Sequence, residues 1–595
     1  MEKEIHGIKI DLSRDKLFDE LGLKRLKESY MKEEEDSPQE RFAYVSHIFS
    51  SNKEHAQRLY EYSSRHWLSY STPILSFGRS KRGLPISCFL PYLHDSAEGL
   101  VDCLSEVNWL SMLGGGIGIG VGIRSADDKS VGVMPHLRTY DSSSLAYRQG
   151  RTRRGSYAAY LDISHPDILM FLEMRKPTGD QNMKALNLHH GINITNDFMQ
   201  IIEKCMIDPS ADDTWELKDP HNSEVKDKIS AKELWQRILE MRMHTGEPYL
   251  HFIDTSNEMM PEFQKKLGLS IKQSNLCSEI ILPTDKTRTA VCCLSSVNLE
   301  YFDEWKSNKL FLRDIAEMLD NVLSYFIDNA PSAIKRAKYS ASRERSIGVG
   351  ALGFHAYLQK NDIPWESALA TSANMRMFKH IKKKLDEANR ELGTERGEAP
   401  DAKGTGLRFC HVSAIAPNAS SSIIMGNTSP SIEPYRANAY RQDTLSGAYL
   451  TKNKFLDKIL KEKVKEEELA DIWSSIIAND GSVQHLSILS DDEKDIFKTA
   501  IEIDQRWIVD HAAHRQEFID QSQSVNLFFR PDVNIKYLHA VHFQAWKQKI
   551  KTLYYCRSEK IGKADKVSKK IERQVIEEID LKKMVTEEVC LACEG

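Results

Sequence analysis

The chain has 595 residues, 41% hydrophobic, 28% charged and 9% aromatic, enough apolar material for one large catalytic body or roughly three to four domains and too much for global disorder. Its 81 Lys and Arg against 86 Asp and Glu leave a formal charge of −5, so no bulk field recruits nucleic acid or an anionic membrane. No apolar run approaches the roughly 18 residues of a bilayer span, the charged N-terminus lacks a secretory pattern, and 10 scattered cysteines do not make a disulfide scaffold; a cytoplasmic, reducing setting without nucleic-acid or membrane partners is expected.

In chain order, Asp15 to about Tyr70 has helical spacing interrupted by the charged turn Lys32–Pro38. Pro85–Pro91 reads as a short strand, Ser96–Leu113 as a helix, and Gly114–Gly122 as a glycine loop. The body then alternates apolar, strand-like pieces (Ala158–Leu161, Gly191–Ile194, Ala290–Leu294, Ser346–Ala351) with amphipathic helices (Ala231–Thr245, Leu312–Ile327, Ala373–Leu392). That alternation favours an α/β barrel or wound sheet. Asp208–Lys228 and Gly397–Gly406 read as surface excursions. From Arg557 to Gly595 nine basic and nine acidic residues occur without an aromatic, which marks a solvated helix or mobile tail.

Several residues are of types that carry chemistry. In Gln273-Ser-Asn-Leu-Cys-Ser-Glu-Ile, Asn275, Cys277 and Glu279 alternate, so extended backbone would send an amide, a thiol and a carboxylate to one face. Taken singly, the triplet is as readily a buried Cys beside a solvated Glu. Cys88 and Cys292 sit in apolar strand-like runs and suit core packing, or, if brought together with Cys277, a dithiol beside a one-electron thiol. Cys293 should face the other way and pack. Ser420, Ser421 and Ser422 open an apparent helix, either as ordinary caps or as the start of a phosphate-binding turn. The glycine loop has neither a dinucleotide fingerprint nor a P-loop Lys. Tyr554 and Tyr555 are adjacent and serve either packing or stepwise proton and electron loss. Cys590-Leu-Ala-Cys593 is a dithiol or half a zinc site, and no second Cys/His pair follows it.

Read in order, Ser71-Thr-Pro-Ile, Ser87-Cys88, the glycine loop, Arg153–Asp167, Asn275–Glu279, Cys292, Pro417–Pro434, Thr552-Leu-Tyr-Tyr and the terminal Cys-x-x-Cys resemble the large, catalytic subunit of class I ribonucleotide reductases from about Tyr62 to Gly595. Each motif is weak alone and the ordered set is specific. The resemblance implies a ten-stranded α/β barrel over 85–556 with Cys277 on a finger loop threading it, a mostly helical region over 1–84 and a charged tail over 557–595. It implies reduction of ribonucleotides to 2′-deoxyribonucleotides for DNA precursor synthesis. Cys277 would be the thiyl that takes the ribose 3′ hydrogen, Glu279 the base at the 3′-hydroxyl, Asn275 a partner of the sugar hydroxyls, and Cys88 with Cys292 the two-electron donor that closes a disulfide. Thr72, Ser87 and Ser420–Ser422 would hold the substrate diphosphate.

The same resemblance implies that Tyr555 and then Tyr554 pass an oxidising equivalent from a separate small subunit carrying a metal cofactor, with no metal or covalent cofactor in this chain. Cys590 and Cys593 would re-reduce the internal disulfide and be reduced by thioredoxin or glutaredoxin. Asp95 and Arg124, with the 114–124 and Arg175–Ala185 loops, would form a specificity site for ATP or a deoxynucleotide at a homodimer interface. Ser87-Cys88 comes too early in the chain to leave room for the family's ATP-cone, so a short form is expected. An adenosylcobalamin-dependent reductase, which needs no tyrosine pair, and a non-catalytic nucleotide-binding barrel, which would have lost these residues, are the alternatives.

Overall fold

The computed structural model describes residues 2–79, 83–147, 155–444 and 447–558. Arg153 and Arg154, the tail beyond Ser558, and Cys590 and Cys593 lie outside them. Three helices, Glu20–Ser29, Pro38–Ile48 and Lys53–Ser64, make up most of the N-terminal region. Each begins where a short polar side chain takes up an otherwise unpaired N–H: Asp19 accepts from Gly22, Ser37 from Gln39 ahead of Pro38, and Asn52 from His55. Their inner faces bury Leu26, Phe42, Val45, Leu59 and Tyr60, and each such side chain contributes roughly 1.5–3 kcal/mol. The helical pattern stops short of Tyr70, because Leu68–Tyr70 is a strand pairing with Ser295–Val297.

The body is a curled sheet. Its hydrogen-bonded order is Ala290–Cys292, Cys88–Leu90, Gly116–Gly122, Tyr157–Asp162, Leu188–Ile194, Tyr249–Phe252 and Thr552–Leu553. The inner pairs are parallel and the two outer pairs antiparallel. Parallel neighbours need crossovers, and helices Ala97–Met112, Val133–Ala146 and Ala231–Thr245 lie in the connections. The strands are buried on both faces, which is why they read as apolar runs rather than alternations. Ala290–Leu294 divides at Cys293, and Leu294–Asn298 pairs in parallel with Gly348–Leu352. Single bridges Val349↔Ser413 and Ile415↔Gln523, and the Tyr554 N–H donating to Val525 C=O at 2.8 Å, carry the curl back to the Thr552–Leu553 edge.

Two expectations are corrected by this sheet. Gly114–Gly122, read as a loop, forms a central strand over Gly116–Gly122. Glycine has poor strand propensity because it brings no side chain to pack, but here the vacancy is filled by residues 273–283. A Cβ on Gly118 would stand 2.5 Å from Ser274 C=O and 2.7 Å from Asn275 Cα, and one on Gly120 would stand 2.6 Å from Gln273 Oε1. The second correction concerns Asn275–Glu279, which is a tight turn rather than extended backbone. Asn275 N–H donates to Ile280 C=O at 3.2 Å, and Ser278 has φ +68°.

Candidate active site

The turn is the tip of a finger held on several sides. Tyr160 Oη donates to Asn275 C=O at 2.7 Å, Ser524 Oγ to Cys277 C=O at 2.5 Å, and Thr552 Oγ1 to Ser278 C=O at 2.7 Å. Asn275 Oδ1 accepts from Ile280 N–H at 3.0 Å, so its amide also braces the turn. Cys277, Cys88, Cys292, Tyr554 and Tyr555 share one buried interior cluster with Leu276, Ile280 and Tyr249.

The geometry brings most of the expected residues together. Asn275 Nδ2 donates to Cys88 Sγ at 3.5 Å. Cys88 and Cys292 are directly opposite in an antiparallel pair, where Cα atoms stand about 4.5–5.5 Å apart, inside the span of a disulfide. Cys292 is a free thiol. Burial, the Glu279 carboxylate and Cys293 push the Cys292 thiol well above its ordinary pKa, so it carries its proton at neutral pH. Cys293 faces outward into the helix-packed core, with Leu319 C=O 3.6 Å from its sulfur.

Glu279 is fully buried, accepts from Ser524 Oγ at 3.2 Å, and leaves Oε1 without a partner among the described residues. Loss of hydration raises its pKa to about 7, against smaller opposing effects of Asn275 and Ser524. A carboxyl poised there takes and returns a proton near neutrality. Tyr554 Oη donates to Cys277 Sγ at 3.6 Å, and the Tyr554 and Tyr555 ring centres are 4.3 Å apart. Tyr554 and Tyr555 follow the edge strand rather than lying in it, so they do not alternate across a sheet and their rings meet.

The residues expected to hold the diphosphate come from distant segments. Ser420, Ser421 and Ser422 lie inside the first turn of helix Ala419–Ile424, and the cap position belongs to Asn418 at φ 56°. The three serines are therefore not caps, which corrects the expectation. Asn418 Nδ2 donates to Ser296 Oγ at 3.1 Å. Arg25 Nη2 donates to Ser420 Oγ at 3.2 Å, and Tyr30, just beyond the same helix, lies 3.3 Å from Thr72 Oγ1. Nothing in the sequence signalled Arg25. Ser87 is buried and its carbonyl accepts from Gly116 N–H at 2.8 Å. Farther out, Arg124 Nε donates to Asp95 Oδ2 at 2.8 Å, with His221 Nδ1 3.5 Å from the same oxygen. Arg175 turns inward, its Nε 3.5 Å from Glu247 Oε2, rather than toward Asp95.

Among the described residues, His55, Asp314 and Glu317 are metal-ligating types buried together. Their carboxylates are already engaged, Asp314 by Arg58 and Tyr62 and Glu317 by Arg313 and Arg396, so they form an ion-pair network. Among the described residues no helix is long and apolar enough to cross a membrane.

A buried thiol at the tip of a finger, in contact with a phenol whose ring packs at a tilt against a second phenol, is an arrangement suited to radical chemistry inside an α/β barrel. Residues 16–83 match the ribonucleotide reductase all-alpha domain, and residues 86–404 and 399–556 the ribonucleotide reductase barrel domain. The chain is 55% identical to the ribonucleoside-diphosphate reductase large subunit of Invertebrate iridescent virus 3, over 99% of this chain and 100% of that one. It is 48% identical to a putative ribonucleoside-diphosphate reductase large subunit of Frog virus 3 (isolate Goorha), over 87% and 90%. The class Id ribonucleotide reductase alpha subunit of Actinobacillus ureae superposes with a TM-score of 0.81 at 34% identity, covering 91% of this chain and 98% of that one. The chain belongs to the ribonucleotide reductase family, as a large, catalytic subunit of class I.

Proposed function

We infer that this chain reduces ribonucleoside diphosphates to their 2′-deoxy forms, and that it does so with a radical delivered by a separate small subunit. The observation that carries this reading is the contact of Tyr554 Oη with Cys277 Sγ at 3.6 Å, backed by the Tyr555 ring. Tyr555 loses an electron and a proton to the arriving equivalent, Tyr554 reduces Tyr555, and Cys277 reduces Tyr554, leaving a thiyl radical. That radical takes the 3′ hydrogen of the sugar. Glu279, ionised, removes the 3′-hydroxyl proton while the 2′-hydroxyl takes a proton from the Cys88/Cys292 thiol pair and leaves as water, and Asn275 holds the hydroxyls. Cys88 and Cys292 supply two electrons and close a disulfide during turnover; Cys590 and Cys593 exchange with it and pass the electrons on from thioredoxin or glutaredoxin. Thr72, Ser87 and Ser420–Ser422 hold the diphosphate, and Asp95 with Arg124 bind the nucleotide effector in a homodimer.

The test is reduction of cytidine diphosphate by the purified chain with dithiothreitol, an effector and Mg²⁺, alone, with adenosylcobalamin, and with a cognate small subunit. Activity that requires the small subunit and disappears in Cys277→Ser supports the reading. Activity with the cobalamin alone overturns the radical source.

A further inference from the structure

Tyr249 opens the strand Tyr249–Phe252 and completes a group of three phenols. Its ring centre lies 4.7 Å from that of Tyr554 and 5.1 Å from that of Tyr555, almost as close as those two are to each other. All three are buried in the interior cluster that holds Cys277. The Tyr249 hydroxyl makes no well-formed hydrogen bond among the described residues and meets the Tyr555 hydroxyl only at looser geometry. Packing alone does not explain that hydroxyl. A Phe ring would fill the space without a poorly satisfied buried O–H, which costs about 1–3 kcal/mol.

A buried charged group stands beside these rings. Glu247 accepts from His189 Nδ1–H at 2.6 Å, from His190 Nδ1–H at 3.0 Å and from the His190 backbone N–H at 3.1 Å, with Arg175 Nε at 3.5 Å. Burial pushes the Glu247 carboxyl up, but Arg175 and the two imidazoles outweigh it and hold the group ionised. The His189 ring lies nearly parallel to Tyr249 at 6.3 Å and edge-on to Tyr555 at 6.4 Å. The Glu247 charge acts on both phenols.

We propose that Tyr249 is a third redox-active tyrosine of this chain, exchanging the oxidising equivalent with Tyr555. The proposal rests on the tyrosine relay inferred above. In the exchange, Tyr555–O• and Tyr249–OH become Tyr555–OH and Tyr249–O•. One electron passes from the Tyr249 ring to the Tyr555 radical and one proton crosses between the two facing oxygens, so an O–H bond breaks on Tyr249 as one forms on Tyr555. No further oxidant or reductant is consumed. Both phenols feel the Glu247 charge, while the Arg557 guanidinium stands 4.0 Å over the Tyr555 ring, and Tyr249 acts as a reservoir on the way to Cys277.

The experiment places 3-aminotyrosine, a more easily oxidised analogue of nearly the same shape, singly at positions 249, 554, 555 and 160 of the full chain. Each is mixed with the small subunit, cytidine diphosphate and effector, and the aminotyrosyl radical is read by electron paramagnetic resonance. Tyr160 is the control, buried in the same cluster but with its hydroxyl committed to Asn275 C=O. The expected radical yield at 249 is within about threefold of that at 555 and at least about tenfold above that at 160. Radical at 554 and 555, with position 249 no higher than 160, overturns the proposal and leaves the relay standing. Radical at none of the positions overturns the relay and the proposal together. Tyr249→Phe gives a second readout: it retains the ring, so its Tm should not fall, while the radical population should redistribute toward Tyr554 and Tyr555. An unchanged distribution counts against a redox role.

Discussion

Replacing Glu279 with Gln removes a carboxylate from a fully buried site whose pKa lies near 7 instead of the ordinary 4.5. The folded chain therefore binds this proton more tightly than the unfolded chain. The associated stability is fully present below about pH 4.5 and is lost as pH rises through 7. A difference of about 2.5 pKa units corresponds to a penalty of about 3 kcal/mol at pH 8 and about 1.4 kcal/mol at pH 5.5. Gln carries no charge and escapes it. With an unfolding entropy of about 2.1 cal/mol/K per residue, the variant should melt about 2.5 °C higher at pH 8, and the gain should shrink to less than half at pH 5.5. Differential scanning calorimetry of both chains across that range makes the comparison. Reduction of cytidine diphosphate should meanwhile be lost in the variant, and in the parent kcat/KM should fall on the acid side with an apparent pKa near 7. A Tm difference that does not change with pH, or a variant less stable at pH 8, refutes a carboxylate destabilised by burial.

Four further outcomes follow from the geometry. Gly118→Ala drives a methyl into Ser274 C=O and Asn275 Cα and should cost about 1–3 kcal/mol in thermal unfolding while displacing Cys277 enough to depress activity. Tyr554→Phe keeps the ring packing but deletes the hydroxyl 3.6 Å from Cys277 Sγ; stability should change by less than about 1 kcal/mol and turnover should fall at least about 10³-fold. Arg25→Ala removes the guanidinium donating to Ser420 Oγ, and steady-state kinetics should show KM for the diphosphate rising about tenfold with a smaller change in kcat. Asp95→Asn breaks a partly exposed pair with Arg124, so Tm should barely move while effector titrations of the reduction rate lose their response.

Helices were the most legible part of the fold because caps and periodicity are local. Ala231–Thr245, read from its periodicity, runs between Ser230 as N-cap and Gly246 in a left-handed conformation at φ +81°. The Gly116–Gly122 strand was not legible, because its partner in packing, the finger at 273–283, lies more than a hundred residues later in the chain. The alternation of Asn275, Cys277 and Glu279 suggested an extended segment for a similar reason. Ser278 adopts its positive φ under contacts from Ser524, Thr552 and Tyr160, none of them near in sequence. The catalytic residue types were recognisable as an ordered set, whereas Arg25, Ser524, Glu247 and Tyr249 carry no motif and emerge only when the sheet curls.

The finger is fastened by residues from far ahead and far behind in the chain: Gly118 and Tyr160 precede it, and Ser524, Thr552 and Tyr554 follow it by roughly 250 residues or more. During synthesis, which runs from the N-terminus at about 5–20 residues per second, the later braces are the last to leave the ribosome. Nearly the whole barrel must be made before Cys277 has a phenol beside it or a hydroxyl on its carbonyl. A prematurely terminated chain would therefore hold the cysteine without the phenol and the hydroxyls that surround it in the folded protein.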